Sequence, residues 1–413
     1  MSYFAMLNQR IVRSIAVLLL GLLVPFAGRV WAGPLAYTAN IGGTVSVIDT
    51  ATNAVTATVP VTTNPRSVAV TPDGTHVYVV DQFSNTASVI DTATNTVTAT
   101  VPLGGVPDES GRIQHVGVAV APDGAHVYVG NLSDNRVTII DTSSNTVTGM
   151  VPVGNLPRAV AVTPDGAHVY VSNLVDGTVS VIATASNTVT ATVTVGDGPF
   201  GIAVTPDGSH VYVVDTGGSV SVIDSATNTV TATVPVGAFP IGVAVTPNGA
   251  QVYVGNQGDG TVSVIDTASN TVIATVPAGA GARWPAVTPD GSRVYVANLD
   301  GTISVIDTAS NAVTATVPLE ARPTAIAIGP SPQQRIELLI ARIGVATIQP
   351  GVAQSLASKL DAALDSLDRG DTGSAVNQLR AFEHEVSAQS GKKIPGALAN
   401  AWIALAEAII ASL

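Results

Sequence analysis

The stretch Ser67–Asn95, SVAVTPDGTHVYVVDQFSNTASVIDTATN, decides the reading of this chain. SVAV is a short apolar run, and Thr71-Pro72-Asp73-Gly74 stops it, because proline donates nothing to a strand ladder and Asp-Gly supplies a tight turn. His76–Val80 is rich in β-branched and aromatic residues and reads as a second strand. Asp81–Asn85 is a polar break, Thr86–Asp91 a third strand, and Thr92–Asn95 the turn that ends it. Thr96–Leu103 (TVTATVPL) then alternates valine with threonine, a period-two strand with one wetter face. The unit is four short strands with polar turns and no helical spacing.

The same words recur outward in both directions. Tyrosine fills one slot at Tyr37, Tyr78, Tyr128, Tyr170, Tyr212, Tyr253 and Tyr295. The closing asparagine recurs at Asn53, Asn95, Asn145, Asn187, Asn228, Asn270 and Asn311, at spacings of 42, 50, 42, 41, 42 and 41 residues. A four-stranded unit repeated at this period fits the blade of a propeller. The outermost strand of a blade is the wettest, which accounts for threonine in the fourth strand. The first tyrosine has no AVTPDG strand before it, and the last unit is followed by an orphan strand, Thr324–Pro330 (TAIAIGP). That orphan is expected to become the innermost strand of the first blade and so seal the ring without an open edge. The expected fold is all-β, a seven-bladed β-propeller of four-stranded antiparallel blades, followed by a small all-α helical domain.

The words YVVD, YVGN, YVSN and YVAN, with VTPDG before and VIDTATNTVTATV after, resemble the YVTN-type propeller repeats of bacterial and archaeal surface proteins, over about Tyr37 to Pro330. The resemblance implies a seven-bladed, extracytoplasmic propeller, usually without a known reaction. Lactonases and quinone-dependent dehydrogenases are distant relatives by fold, so fold alone leaves activity open.

Residues 1–32 read as a secretory signal: Arg10 and Arg13 precede the apolar core Ile15–Phe26, and Val30-Trp31-Ala32 offers small residues for cleavage after Ala32. The propeller then spans 33–330 and the helical domain 331–413. The absence of cysteine excludes disulfides, thiolate catalysis, Fe–S clusters and covalent haem. The propeller has no lysine, seven arginines and 21 acidic residues, a net charge of −14. Such a surface repels phosphate backbones, which argues against nucleic acid as a partner. Many of the acids (Asp73, Asp123, Asp165, Asp207, Asp290) sit in turns, where carboxylates satisfy local backbone groups.

The tail shows three stripes at helical spacing: Leu356, Leu360, Ala363, Leu364 and Leu367; Val376, Leu379, Phe382 and Val386; Leu398, Trp402, Leu405, Ala406, Ile409 and Leu413. With Ile336–Ile348 before them they predict three to four helices. The run KLDAALDSLDRGD…AVNQLRAFEHEVSAQSGKKI resembles the FIMAH-type domain found at the ends of varied secreted bacterial proteins. Glu383-His384 stand where an apolar residue is expected after Ala-Phe. Ala401–Leu413 is too short for a membrane anchor and carries Glu407.

Because the repeats are near-identical, departures from them carry the information about sites. The largest is an eight-residue insertion within Gly104–Gln114, bearing Asp108, Glu109 and Arg112 with His115 just after. A histidine beside carboxylates suits acid–base work or help in holding a divalent cation; the bland alternative is a solvated loop. The second departure is the residue that opens each inner strand: Arg66, Val116, Arg158, Phe200, Ile241, Arg283 and Thr324, with Trp284 after Arg283. Three arginines and two aromatics around a channel mouth suit an anionic or sugar-like ligand, against rim packing as the alternative. His76, His126, His168 and His210 share one slot on different blades and read as exposed strand-edge residues. Asn40, Asp81, Asn131, Asn173, Asp215, Asn256 and Asn298 end the tyrosine strand in every blade and read as structural turn caps. There is no GxSxG, HExxH or phosphate-cradling glycine loop.

The sequence therefore predicts a secreted or cell-surface binding or scaffold module acting through its inter-blade loop face, with a protein or glycan partner, no cofactor and no metal. The alternative is a lactonase- or lyase-like enzyme using Asp108, Glu109 and His115. A redox role with a non-covalent quinone is a third reading.

Overall fold

The computed structural model describes residues 33–107 and 114–413. The signal read in residues 1–32, and Asp108, Glu109 and Arg112 of the insertion, lie outside the described residues. Among the described residues are seven four-stranded sheets. In the second, β4 (Pro65–Val70), β5 (His76–Asp81), β6 (Thr86–Asp91) and β7 (Thr96–Pro102) pair in chain order, all antiparallel. The turn residues do what their chemistry dictates. Gly74, at φ 68°, turns the chain so that its N–H donates to the Thr71 carbonyl at 2.8 Å, and the Thr71 hydroxyl donates to Asp73 at 2.7 Å. Asp91 accepts from the Thr94 N–H at 2.8 Å, while Asn95 takes the left-handed conformation at φ 52°.

Burial follows radial position. In every blade the second and third strands are buried almost throughout, and the fourth is mostly exposed. The innermost strand is only partly buried, because part of it faces the central channel instead of a neighbouring blade. The inner strands β4, β8 (His115–Val120), β12 (Pro157–Val162), β16 (Pro199–Val204), β20 (Pro240–Val245), β24 (Ala282–Val287) and β28 (Pro323–Ile328) touch in sequence and return from β28 to β4, which closes the ring.

The seam is stitched as expected. β28 pairs antiparallel with β1 (Leu35–Asn40): Ala36 faces Ile328, Tyr37 faces Ala327 and Asn40 faces Pro323. The buried Thr324 hydroxyl reaches the carbonyls of Ala39 (3.0 Å) and Pro65 (2.8 Å). Neighbouring blades are also latched by their tyrosines. The hydroxyls of Tyr78, Tyr170, Tyr212 and Tyr253 donate to the turn asparagines Asn145, Asn228, Asn270 and Asn311 of the next blade, and Tyr295 donates to Asn53 across the seam. Each latch is worth about 1 kcal/mol, so the asparagine turns hold the ring together as well as reversing the chain.

The tail forms α1 (Pro332–Val345), α2 (Pro350–Asp368), α3 (Thr372–Gln389) and α4 (Gly396–Ala411). Ser331 and Gln334 make a capping box at the start of α1. Ile336, Leu339, Leu356, Leu360, Leu379, Phe382, Trp402 and Ile409 build a core separate from the blades. In the α3 stripe Leu379, Phe382 and Val386 are buried as expected, and only its first position differs: Ala375 is buried and Val376 half-buried. α1 meets the disc on the face of the Asp-Gly turns, where Arg342 pairs with Asp73 at 3.6 Å. Among the described residues no helix is long and apolar enough to cross a membrane.

Candidate functional site

The inter-blade loops deliver the start of each inner strand to the opposite face from the helices. Five of these strands open on proline (Pro65, Pro157, Pro199, Pro240, Pro323), whose fixed φ sets the entry angle; Ala282 and His115 take the slot in the other two. The next residue then stands at the rim. Arg66, Arg158, Phe200, Arg283 and Trp284 surround one cavity of about 100 Å³, completed by Ser67, Val116, Gly117 and Thr324. Sequence reasoning had proposed these residues from their slot alone, and the fold brings them together. Ile241, from the same slot, is buried and does not line the cavity.

Two glycines fix the rim backbone. A Cβ on Gly117, which has φ 68°, would lie 2.4 Å from the Arg158 carbonyl oxygen, and one on Gly255 would lie 2.2 Å from that of Arg283. At Gly117 two neighbouring inner strands, and at Gly255 the second strand of one blade and the inner strand of the next, approach so closely only because a side chain is missing there. The Arg158 guanidinium stands 5.0 Å from the Phe200 ring centre, a cation–π contact, and Phe200 lies 6.1 Å from the Trp284 ring, tilted by 47°. Arg66 donates from Nε to Gln82 Oε1 at 2.6 Å, and Gln82 donates to Gln114 at 3.1 Å. Gln82 is a positioning residue that sequence reasoning missed. Its slot carries leucine at Leu132, Leu174 and Leu299 but glutamine again at Gln257, so residue type alone does not single it out.

The electrostatics of the mouth are one-sided. Among the described residues no carboxylate forms an ion pair with Arg66, Arg158 or Arg283. The buried Nε of Arg158 and of Arg283 have no hydrogen-bond partner among the described residues. Burial lowers the proton affinity of all three; Arg158 is further lowered by Arg66, and Arg283, brought down to about 10, by Arg66 and Arg158. Three cations that repel one another in a half-buried cleft, on a disc that is otherwise acidic, are arranged for an anion.

His115 corrects the sequence reading. It is the first residue of β8, fully buried, with neither ring nitrogen in a well-formed hydrogen bond. Desolvation lowers its pKa from 6.5 to about 4, only partly offset by the Gly104 backbone, so it is neutral at physiological pH and sealed from solvent. It is absent from the lining of the mouth. His76, His126, His168 and His210 are half-buried rather than exposed, because the slot packs beside the tyrosine and the Asp-Gly turn. No group of three metal-ligating side chains occurs among the described residues.

The ring that ends the tyrosine strands is buried; Asp81 and Asn131 accept from the backbone N–H groups of the turns that follow them, as expected. Asn40, Asn173, Asn256 and Asn298 each donate from Nδ2 to two hydroxyls of the third strand. Asp215 must instead accept from Ser219 and Ser221, and desolvation raises its pKa from 3.8 to about 6. Asp215 and His115 therefore oppose each other on acidification. A carboxyl with a raised folded pKa loses stability as pH climbs from about 4 to 6. A histidine with a depressed one loses stability as pH falls from about 6.5 to 4. Each swing is worth about 3 kcal/mol. Denaturation across pH 4–7 should accordingly show Asp215→Asn more stable than the parent at pH 7, and His115→Ala with a smaller loss of stability below pH 6. An unchanged pH slope in both variants would refute this assignment.

Comparison with known proteins follows the two halves of the chain. Residues 44–194 match the family model described as Lactonase, 7-bladed beta-propeller, and residues 345–411 match that of the FIMAH domain. The FIMAH resemblance read from the tail sequence is thereby borne out. No curated protein matches the chain. Among solved structures, hydrazine synthase of Kuenenia stuttgartiensis is similar at 24% identity and TM-score 0.59, covering 70% of this chain and 99% of that one. A functionally unknown protein from Desulfotomaculum acetoxidans DSM 771 is similar at 19% identity and TM-score 0.63, covering 72% and 99%. At these identities the likeness speaks for the propeller fold.

Proposed function

We propose that this chain is an extracytoplasmic binding module that captures a carboxylate-bearing sugar at the mouth of its propeller channel. The observation that carries the reading is the set of three arginines, without carboxylate partners among the described residues, around one cavity beside Phe200 and Trp284. A planar carboxylate matches guanidinium forks, and the apolar face of a sugar ring matches an aromatic side chain. The cavity of about 100 Å³ takes the carboxylate end of such a ligand and leaves the rest on the rim, where a glycan chain would continue. Placement outside the cytoplasm rests on the basic and apolar segment before Ala32. Titration with glucuronate and with glucose tests the reading. Saturable binding of glucuronate that weakens with salt, and none of glucose, is expected. Equal binding of both, or of neither, would overturn it.

A second reading is favoured by the match over residues 44–194. In a lactonase, water adds to the lactone carbonyl, the ring C–O bond breaks, and a hydroxy acid is released. Arginines at the mouth would stabilise the oxyanion and hold the carboxylate product. His115, buried, neutral and away from the lining of the mouth, carries no step in this reading. Acid release from gluconolactone above the uncatalysed rate, lost on Arg158→Ala, would favour this reading; the uncatalysed rate alone would count against it.

A further inference from the structure

A second polar cavity, of about 200 Å³, lies on the other side of the disc, where the helices meet the first two blades. Its wall includes Tyr37, Asn95, Pro330, Arg335 and Ser412. Tyr37 and Asn95 occupy the slots that form the tyrosine–asparagine latch elsewhere, but here the latch is not made: Asn95 Oδ1 is buried without a hydrogen-bond partner. Arg335 enters from α1, with its side chain against Gly74, and only 6% of the residue is exposed. Its Nη1 makes a long contact of 3.4 Å to Ser412, while Nε and Nη2 have no partner among the described residues. Nε and Nη2 form one edge of the guanidinium, the edge that grips a carboxylate side-on. Asp73, whose charge acts on Arg335, is already held by Thr71, Thr75 and Arg342.

Buried polar groups in native proteins are paired with protein, water or ligand, and an unpaired buried cation is the costliest exception. The groups at this seam specify their complement. Arg335 offers two parallel donors on one edge, Tyr37 offers a hydroxyl, and Asn95 offers an acceptor. An anion with a single oxygen satisfies only part of this set. A carboxylate carrying a neighbouring hydroxyl satisfies all of it, with the carboxylate on Arg335 and Tyr37 and the hydroxyl donating to Asn95.

We infer that the seam between disc and helices is a binding site for a small 2-hydroxycarboxylate, which clamps the helical domain to the propeller. Arg335 belongs to α1, Ser412 follows α4, and Tyr37 and Asn95 belong to two different blades. An occupant of this site therefore bridges both terminal helices and two blades of the disc. The inference does not depend on the function proposed for the mouth, which lies on the opposite face.

The test is calorimetric titration of the full chain with glycolate, acetate and phosphate at matched ionic strength, alongside limited proteolysis of the connection at residues 329–332. Glycolate is expected to bind saturably and to protect the connection, with acetate weaker for want of a hydroxyl. Arg335→Gln should lower glycolate affinity by about 10-fold or more. Asn95→Ala should fold and lose the preference for glycolate over acetate. A variant carrying Arg66→Ala, Arg158→Ala and Arg283→Ala should bind glycolate at this seam as the parent does, which separates the two sites. Absence of glycolate binding to the parent, an unchanged affinity in Arg335→Gln, or a preference for phosphate over both carboxylates would overturn the inference.

Discussion

A chain ending at Arg322 should lose the single cooperative melting transition that a chain ending at Pro330 retains. The eight residues between them contain β28 and little else. Without that strand, β1 presents a row of unpaired backbone groups along Ala36–Asn40, an edge suited to aggregation. Ala325 and Ile326 also leave the core between blades, and Thr324 no longer ties Ala39 to Pro65. Truncating a buried isoleucine alone costs about 2–5 kcal/mol, and losing the whole strand removes that and the ladder bonds together. This is comparable to the roughly 5–15 kcal/mol by which a domain is stable. The Pro330 chain, which lacks the helices, should melt as one unit, since the helical core is built from its own residues. Calorimetry of the two truncations decides the matter. Equal melting would mean that the ring does not need its closing strand.

The second large effect is expected at the mouth, where affinity and stability should move in opposite directions. Replacing Arg158 or Arg283 by methionine should weaken glucuronate binding by about 10- to 100-fold, the loss of one or two charge-assisted hydrogen bonds. The same replacements should leave the ligand-free protein as stable or more stable, by up to about 1 kcal/mol, because each removes one of three mutually repelling, partly desolvated cations. A structural arginine would lose stability on replacement, so the two readouts together separate a binding role from rim packing. Arg66→Met should weaken binding with a smaller stability gain, since Gln82 already takes its Nε. Parallel losses of affinity and stability would assign the arginines to the scaffold.

The ring was legible because each blade states its own strands. The period of about forty, the Asp-Gly turn and the orphan Thr324–Pro330 together required seven blades and a closing strand before any coordinates. The mouth was legible for the same reason: against identical repeats, Arg66, Arg158, Phe200 and Arg283 stood out at one slot. The pattern did not encode depth. His115 looked like part of a charged loop because its neighbours in sequence are charged, yet it fills a slot that five other blades give to proline, and it is buried. Nor did a linear reading reveal the seam. Arg335 lies in a helix far from Tyr37 in sequence, and only the docking of α1 beside Gly74 places it against an unmade latch. Only the first position of the α3 stripe differs, Ala375 being buried in place of Val376, because a helix of 3.6 residues per turn leaves two neighbouring apolar positions nearly equivalent.

The central claim is that the mouth of the channel is built to hold a carboxylate. A crystal structure of the protein soaked in glucuronate tests it most directly. The account predicts the carboxylate at about 3 Å from the guanidinium groups of Arg158 and Arg283, with the sugar ring against Phe200 or Trp284. Ligand bound elsewhere on the disc while the three arginines stay unoccupied would contradict it.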